Sequence, residues 1–364
     1  MMQKTSTERS LEGLSVAITG GTGSLGRTLV RRILGGELGR PRRVIVFSRD
    51  EAKQHAMRLA YQHLRAATDE IIYRAAREAL EFRIGDVRDY SAVCVGLRDA
   101  DVIFNAAALK QVPTCEYFPF EAVLTNVVGP ENVVRGVREG RLPAFLVMGI
   151  STDKACKPVN VMGMTKAIQE RIFLSANVVS PNVTFLCVRY GNVLASRGSV
   201  IPLFLEQIRH GGPVTVTLPE MTRFLVTLDQ AADTVFAAVR RGRRGEIFVP
   251  RMPSARVLDI ARVLINGQPI DIEIKGARPG EKIHEVLVSE EEARRTVEWD
   301  DYYVIRPILP ELRDGDEPRT VPIKEYSSGD DVLDIERLRG VLVNAGFIER
   351  GAAASATGTG DSWD

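Results

Sequence analysis

The feature that most constrains the fold of this 364-residue chain is a short apolar run that ends at glycines and is followed by a helical pattern. Residues 14–19 are mostly apolar and partly β-branched, and residues 25–34 carry apolar side chains at helical spacing. Gly20, Gly23 and Gly26 lie where the two patterns meet. A strand, a glycine loop and a helix in this order are how a doubly wound parallel sheet begins.

The glycine loop also predicts a binding site for a dinucleotide. Glycines let the backbone turn tightly and approach a pyrophosphate, whose charge is met by the free N–H groups and the positive dipole at the helix start. On this interpretation the pyrophosphate lies against Gly20, Thr22, Gly23, Ser24, Leu25 and Gly26. The alternative is that the glycines only form the turn between strand and helix.

Apolar runs alternate with amphipathic stretches up to residue 190. We expect strands at 43–47, 81–84, 101–105, 144–150 and 183–189, with helices at 51–64 and 126–139. This βαβ rhythm predicts an α/β fold with a parallel sheet. The rhythm then loosens, and helices at 200–209 and 228–240 and strands at 246–249 and 271–274 are expected among glycines and prolines.

These patterns predict the division of the chain. A dinucleotide-binding Rossmann domain is expected over 11–190, with 225–250 returning to it. A smaller α/β substrate-binding lobe is expected over 191–224 and 251–345. Residues 350–364 are small, polar and without periodicity, which predicts a disordered tail.

Composition excludes several functional classes. The 48 basic side chains nearly balance the 47 acidic ones, so no broad positive field is available and nucleic acid is not an expected partner. Cys94, Cys115, Cys156 and Cys187 form no C-x-x-C pair, which speaks against a zinc cluster or a disulfide framework and favours a reducing cytoplasm. The polar N-terminus and the absence of an apolar run near 20 residues predict a protein that is neither secreted nor membrane-spanning.

Residues 151–166 predict a reaction centre. Asp153 and Lys154 place a proton donor beside an amine, and Met162 and Lys166 are four residues apart, so they share one face of a predicted helix. A thioether carries no proton and cannot act as a general base. The alternative for Asp153 and Lys154 is a salt bridge at a strand end.

The chain resembles the UDP-N-acetylglucosamine 4,6-dehydratases of the extended short-chain dehydrogenase/reductase superfamily over roughly residues 12–345. The glycine spacing is similar to that of the superfamily, and Met162 stands where its members carry a tyrosine four residues before the lysine. The dehydratase resemblance rests on TDKA at 152–155, PVN at 158–160, RYGNV at 189–193, SRGSV at 196–200, MTRF at 221–224 and RPGEK at 278–282.

The resemblance implies a tightly bound, recycled nicotinamide cofactor and a specific order of steps. Hydride leaves C4 of the sugar, water is eliminated across C5 and C6, and the hydride returns to C6. A C4 ketone acidifies the C5 hydrogen, and the C6 hydroxyl leaves only when it is protonated. The expected roles are removal of H5 by Lys154, protonation of O6 by Asp153, a hydrogen bond to O4 from Thr152 and ribose binding by Lys166.

Methionine at position 162 leaves the stereochemistry at C5 open. It resembles the branch of the family that retains the C5 configuration, whereas the S-R-D-E segment at 48–51 looks more like the tyrosine-bearing, inverting branch. Retention is the outcome we favour. A packing methionine in an inactive, cofactor-sensing relative is the alternative, and a 5,6-dehydratase or a 4-epimerase is the other enzymatic one.

The end of the second predicted strand bears on the choice of cofactor. Arg49, followed by Lys53, suits the 2′-phosphate of NADP, whereas Asp50 suits the free ribose hydroxyls of NAD, so NADP is expected with NAD as the alternative. Asp86 is expected at the adenine, or as a helix cap. Further expected cofactor contacts are Ser48, Val87, Ala106, Ala107, Ala108, Asn126 and Tyr190.

The second lobe is expected to hold a UDP-sugar. Arg197, Arg223 and Arg278 lie in segments bounded by glycine or proline, which predicts loops where guanidinium groups bind a diphosphate. Glu281 is expected at the uridine ribose and Lys110 near the sugar. Asn192, Ser199 and Val200 complete the predicted contacts. His284 has no paired ligand, so no metal is expected, and a homo-oligomer is expected.

Overall fold

The computed structural model describes residues 8–62, 78–194, 199–278, 280–313 and 324–348. The chain divides into two compact units. The first contains 1–191, 228–251 and 286–327, and the second contains 192–227, 252–285 and 328–364. The predicted tail at 350–364 and the predicted ligand Arg197 lie outside the described residues.

Sixteen strands are formed by the described residues. They are β1 Ser15–Thr19, β2 Arg43–Ser48, β3 Leu80–Ile84, β4 Val102–Asn105, β5 Leu146–Thr152, β6 Thr184–Tyr190, β7 Asn192–Val193, β8 Val214–Val216, β9 Thr222–Val226, β10 Ile247–Pro250, β11 Ser254–Arg256, β12 Ile272–Ile274, β13 Val286–Val288, β14 Thr296–Trp299, β15 Tyr302–Ile305 and β16 Tyr326–Ser327.

The described α-helices are α1 Ser24–Leu34, α2 Glu51–Gln62, α3 Tyr90–Leu97, α4 Val112–Tyr117, α5 Pro119–Val123, α6 Gly129–Arg138, α7 Val161–Val179, α8 Val200–Arg209, α9 Leu228–Arg241, α10 Val257–Ile265, α11 Glu290–Ala293 and α12 Ile335–Asn344. A π-helical turn covers Leu124–Val128, and 3₁₀ turns cover Asp153–Ala155 and Pro310–Leu312. No helix in the described ranges is long and apolar enough to cross a membrane.

The first unit is built on a nine-stranded sheet in the order β14-β15-β10-β6-β5-β4-β1-β2-β3. The strands from β10 to β3 are parallel, and β14 and β15 extend the sheet antiparallel. Their residues are apolar and largely buried, as expected where helices cover both faces. The predicted doubly wound α/β fold is confirmed. In register, Thr152 lies opposite Tyr190 and Thr19 opposite Asn105, so polar strand ends meet at one edge.

Residues 286–327 belong to the first unit, whereas the sequence boundaries had assigned them to the substrate-binding lobe. The reason is strand pairing, because β15 forms an antiparallel ladder with β10 and β14 pairs with β15. The aromatic residues of this hairpin pack together, with Trp299 stacked on Tyr302 and at an edge to Phe248. Short antiparallel strands late in a chain carry no βαβ signal, which is why the sequence pattern missed them.

The second unit has its own core. A three-stranded sheet β11-β9-β7 and a parallel pair β12-β8 are formed within it. Helices α8, α10 and α12 contribute apolar side chains that are almost wholly buried, among them Ile201, Phe204, Ile260, Leu264, Leu338 and Leu342. The helix at 335–344 was not among the elements predicted from the sequence.

A buried ion network ties β6 to α7 and α11 within the first unit. Arg189 donates to Glu170 at 2.6 and 3.0 Å and to Glu292 at 2.7 and 2.9 Å, and its fifth hydrogen bond goes to the Leu287 carbonyl at 2.8 Å. The three charged side chains are at most 9% exposed. Burial alone would raise the pKa of Glu292, but the Arg189 charge holds it at about 2.

Removal of the central cation should be strongly destabilising. Arg189→Met leaves two carboxylates buried without their shared partner, and we expect a loss of about 3–5 kcal/mol in the free energy of unfolding. Urea denaturation followed by circular dichroism measures this loss. Arg135→Met is the matched control, because it breaks an exposed ion pair with Glu139 and should change stability far less. Equal losses in the free energy of unfolding for the two substitutions would contradict the large stabilisation assigned to the buried network.

Candidate active site

The loop between β1 and α1 requires glycine at two positions. Gly20 has a φ of 65°, and a Cβ added there would lie 2.8 Å from the Ala107 Cα. A Cβ added to Gly26 would lie 2.5 Å from the Gly21 Cα. Gly23 precedes the helix, and no described side chain caps its first N–H groups. This helix start therefore has the geometry that suits a phosphate group.

At the end of β2, the charged side chains already pair with one another. Asp50 binds Lys53, which lowers the pKa of the carboxyl group. Asp86 lies 2.7 Å from an Arg88 guanidinium nitrogen and 3.5 Å from one of Arg49. Burial would raise the pKa of Asp86, but its contacts with Arg88 lower it. The predicted adenine partner thus lies between two arginines.

The end of β4 adds two polar residues that the sequence reasoning did not select. The Thr19 hydroxyl donates to Asn105 Oδ1 at 3.0 Å and accepts from the Ala107 N–H at 3.2 Å. Buried Asn105 Nδ2 has no hydrogen-bond partner among the described residues. The signal was available, since a polar residue closing an apolar strand beside a glycine loop is unusual. Ala106 and Ala108, predicted at the cofactor, are partly exposed beside Ala107.

Asn126 holds protein segments together. In the π-helical turn its amide donates to the Leu109 carbonyl at 2.9 Å and to Thr165 Oγ1 at 3.0 Å, and it accepts from the Leu109 N–H at 2.8 Å. The side chain is fully buried. Three hydrogen bonds hold the amide to the loop after β4 and to α7, and a direct contact between Asn126 and the cofactor stays a prediction.

Thr152, Asp153 and Lys154 converge at the carboxyl end of β5. Asp153 is inaccessible to solvent, and its Oδ1 accepts from Thr152 Oγ1 at 2.7 Å and from Lys154 Nζ at 3.1 Å. Its buried Oδ2 has no hydrogen-bond partner within the described ranges. Lys154 remains 22% exposed, so the amine reaches solvent while the carboxyl group does not. Tyr190, opposite Thr152, is buried, which raises the pKa of its phenol.

Helix α7 carries the other two predicted catalytic positions. The Asn160 side chain accepts from the Gly163 N–H at 2.8 Å, and Glu116 accepts from the Val161 N–H at 2.7 Å. Met162 is only 6% exposed and packs with Cys115 and Ala122. Its side chain therefore fills an apolar cluster between α7 and the two short helices before it.

Lys166 lies wholly inside the protein. Its Nζ donates to the Ile150 carbonyl at 2.5 Å and to Gln169 Oε1 at 2.6 Å. Burial lowers the pKa of this amine to about 8. Gln169, which the sequence reasoning did not select, also donates to Ile150 at 3.0 Å, so it orients both the lysine and the strand end.

In the second unit, the predicted substrate residues have different surroundings. Arg223 is in β9 and only 8% exposed, so its placement in a loop was wrong; its guanidinium donates to the carbonyls of Thr222, Lys282 and Ile283. Arg278 is exposed in a loop, as predicted. Asn192 is in β7, Ser199 precedes α8 and Val200 begins it. Ser199 Oγ and Glu281 Oε2 are buried and lack a hydrogen-bond partner in the part of the chain that is described.

Two further predicted features can be placed. Lys110 is exposed in the loop after β4 in the first unit. His284 contacts the Thr222 hydroxyl at 2.8 Å in the second. No cluster of three or more potential metal ligands occurs among the described residues.

Comparison with known proteins gives three findings. The family model described as "Polysaccharide biosynthesis protein" matches residues 16–307. A Rickettsia canadensis protein named UDP-glucose 4-epimerase is 43% identical over 296 residues, which cover 80% of this chain and 82% of the relative. The X-ray structure of Pen from Bacillus thuringiensis is 33% identical, covers 93% of this chain and 99% of its own, and has a TM-score of 0.81.

A more distant structure shares the fold. DesIV from Streptomyces venezuelae, a dTDP-glucose 4,6-dehydratase solved with NAD and TYD bound, is 20% identical and covers 74% of this chain and 87% of its own, with a TM-score of 0.62. The extended short-chain dehydrogenase/reductase architecture predicted from the sequence is therefore confirmed as a fold.

The buried lysine should be visible in the pH dependence of stability. The Lys166 pKa is about 8 in the folded protein and near its ordinary 10.5 in the unfolded chain, so the unfolded chain binds more protons between these values and stability rises with pH. Relative to Lys166→Met, the wild-type free energy of unfolding should rise by roughly 2 kcal/mol from about pH 7 to about pH 9.5. Urea unfolding of both proteins at each pH checks this, and a pH-independent difference would contradict it.

Proposed function

The chain belongs to the polysaccharide biosynthesis protein family, and we propose that it is a nucleotide-sugar dehydratase that converts UDP-N-acetylglucosamine to a UDP-4-keto-6-deoxy-N-acetylhexosamine. Relatives in this comparison carry nucleotide-sugar names, including UDP-glucose 4-epimerase. The observation that carries the choice of dehydration is the contact between Asp153 and Lys154, a buried carboxyl group 3.1 Å from an amine.

This pair can supply an acid and a base by transfer of one proton within it. In the ionised form the amine holds the proton, and transfer along the Nζ–Oδ1 hydrogen bond gives a neutral carboxylic acid and a neutral amine.

Each member of the pair has a place in the elimination. With a ketone at C4, the C5 hydrogen is acidic enough for the Lys154 amine to remove it. Asp153 protonates O6, which leaves as water. The proton released from O4 when C4 is oxidised leaves through a water linked to Thr152, and an equivalent proton restores the Asp153 carboxylic acid at the end of the cycle. Thr152 orients the carboxyl group by donating to it at 2.7 Å, and its oxygen would accept a hydrogen bond from the O4 hydroxyl. The sum of these steps is the loss of one water molecule from the sugar.

The first unit has features that suit a nicotinamide dinucleotide. Gly20 lets the loop approach the Ala107 backbone so closely that a Cβ would clash with it, and the start of α1 has no side-chain cap. Gly20, Thr22, Gly23, Ser24, Leu25 and Gly26 would hold the pyrophosphate. When bound, this cofactor accepts the hydride from C4 and returns it to C6. Lys166 would bind the nicotinamide ribose after exchanging its present contacts with Ile150 and Gln169.

We propose NADP as the preferred cofactor, with NAD as the alternative. Arg49 is half exposed at the end of β2, where a 2′-phosphate would lie, and Asp50 is already paired with Lys53. The 3.5 Å contact between Arg49 and Asp86 is weak enough for Arg49 to exchange it for a contact with a phosphate.

The second unit offers polar groups for the uridine diphosphate. The buried Glu281 Oε2 is an acceptor to which a ribose hydroxyl would donate, and the buried Ser199 hydroxyl would donate to a phosphate oxygen. Arg278 is exposed and available for a phosphate contact. Arg223, held by backbone carbonyls, is better suited to positioning the segment that ends at Ile283.

Retention at C5 is proposed on the basis of Met162. A second proton carrier on the other face of the sugar would be needed to return the C5 proton with inversion, and the thioether at this position cannot serve. Without that carrier, Lys154 returns the proton to the face from which it came. Formation of product in D2O, followed by NMR, reports the C5 configuration.

Incubation with UDP-N-acetylglucosamine tests the reaction directly. We expect a product lighter by one water that carries a 4-keto group, with no net consumption of NADP, as measured by mass spectrometry and NMR. An isomer of unchanged mass would instead identify a 4-epimerase. A product that has lost water but has an exocyclic alkene and no ketone would identify a 5,6-dehydratase.

Substitution of the acid and the amine tests the mechanism. Asp153→Asn and Lys154→Ala should each lower kcat by about 10²–10⁴-fold, because each removes one partner in proton transfer. The bound cofactor, followed by its absorbance, should remain. Lys157→Ala is the matched control, because it removes a nearby exposed amine that pairs with Glu325. Near-normal rates in both site variants would exclude the assigned roles.

A further inference from the structure

A polar cavity lies in the first unit and is lined by residues that the candidate active site does not use. Its volume is about 310 Å³, which falls at the lower end of the range for small-molecule sites. Thr184, the first residue of β6, and Glu246, which directly precedes β10, are among its lining residues. It therefore lies at the amino-terminal edge of the parallel sheet.

Its position separates it from the candidate active site. Asp153 follows the carboxyl end of β5, and the register pairs Thr152 with Tyr190 at the far end of β6. The seven residues of β6 span roughly 20 Å. A ligand in the cavity would thus be bound at the opposite edge of the sheet from the catalytic pair.

The lining is strongly basic. Five arginines contribute to it, against two glutamates. The whole chain has a formal net charge of only +1, so this local excess is not a consequence of a generally basic protein. The arginines are Arg9, Arg243, Arg244, Arg306 and Arg313.

Several of these guanidinium groups are oriented without being neutralised. Arg9 donates to the Gly242 carbonyl at 2.5 Å, and Arg313 donates to the carbonyls of Pro307 and Ile308 at 3.2 and 3.0 Å. Arg244 donates to the Asn177 carbonyl. A hydrogen bond to a carbonyl oxygen orients a guanidinium group but does not neutralise its charge. Among the described residues, none of these three arginines forms an ion pair.

Two donors remain open. The Nε of Arg244 is buried and has no hydrogen-bond partner in the described ranges. The guanidinium of Arg306 makes neither a hydrogen bond nor an ion pair with any described residue, although its backbone pairs with Arg295. Buried polar donors are normally satisfied, so the open Nε of Arg244 indicates a partner in the cavity, and the partly exposed guanidinium of Arg306 adds further donors for an anion.

From this cavity we infer a binding site for a small diphosphate-bearing molecule. A guanidinium group binds two phosphate oxygens at once. Several guanidinium groups around one cavity therefore suit two linked phosphates better than a single carboxylate. Pro307 and Leu312 add an apolar wall that an organic group on the ligand can contact. The inference is independent of the reaction proposed above.

Titration calorimetry with inorganic pyrophosphate at about 0.15 M salt tests this site. Wild-type protein should bind the probe, and Arg306→Gln should weaken that binding about tenfold or more, because one charged hydrogen-bond donor is lost. Arg306 has no internal side-chain partner, so the substitution breaks no contact of the described fold. Arg98→Gln is the matched control, since it removes the same charge from a side chain that is 66% exposed and is not among the lining residues.

Pyrophosphate binding at the proposed substrate site must be distinguished from binding in the cavity. Arg278→Gln should weaken only the former, so a loss of affinity in that variant with none in Arg306→Gln would overturn the inference. Failure of wild-type protein to bind pyrophosphate would also overturn it. Arg306→Gln should keep the wild-type rate with UDP-N-acetylglucosamine, and this rate is measured separately so that the two proposals succeed or fail independently.

Discussion

Arg189 carries its charge in the interior of the first unit, and both Glu170 and Glu292 reach it. All five of its donors are used, which fixes β6, α7 and α11 in one arrangement. Glu170 also accepts from the Ser151 hydroxyl at 2.5 Å, directly before Thr152 in β5. The strand end that bears the acid and the helix that bears Lys166 are therefore held by the same cation.

This arrangement explains how a lysine can be buried beside the reaction centre. Lys166 is one turn before Glu170 on α7, and its amine is received by the Ile150 carbonyl and by Gln169. Burial lowers its pKa, whereas the Glu170 charge opposes that shift. The pKa of the amine therefore lies close to neutral pH. The amine can carry a charge when a ligand oxygen replaces the Ile150 carbonyl as its hydrogen-bond partner.

The sequence predicted the parallel strands well, because each is a short apolar run of about the right length followed by a turn or a helix. It did not predict the β14–β15 hairpin, whose strands are only four residues long each and lie outside the βαβ rhythm. It placed Arg223 in a loop, because flanking glycine and proline residues suggested one. The burial of that arginine among carbonyls follows from long-range contacts with 282–283, which no local pattern contains.

What the sequence determined by itself was chemistry and order along the chain. The glycine loop, the adjacent Asp153 and Lys154, and the four-residue step from Met162 to Lys166 are local patterns, and local patterns fix turns, helix faces and reactive groups. The tertiary structure alone decided which groups are buried and what they contact. Asn126 bound to Leu109, Met162 packed against Cys115, and five arginines around one cavity all depend on residues distant in the chain. Burial and charge compensation arise only when distant segments meet, and for that reason they could not be deduced from spacing.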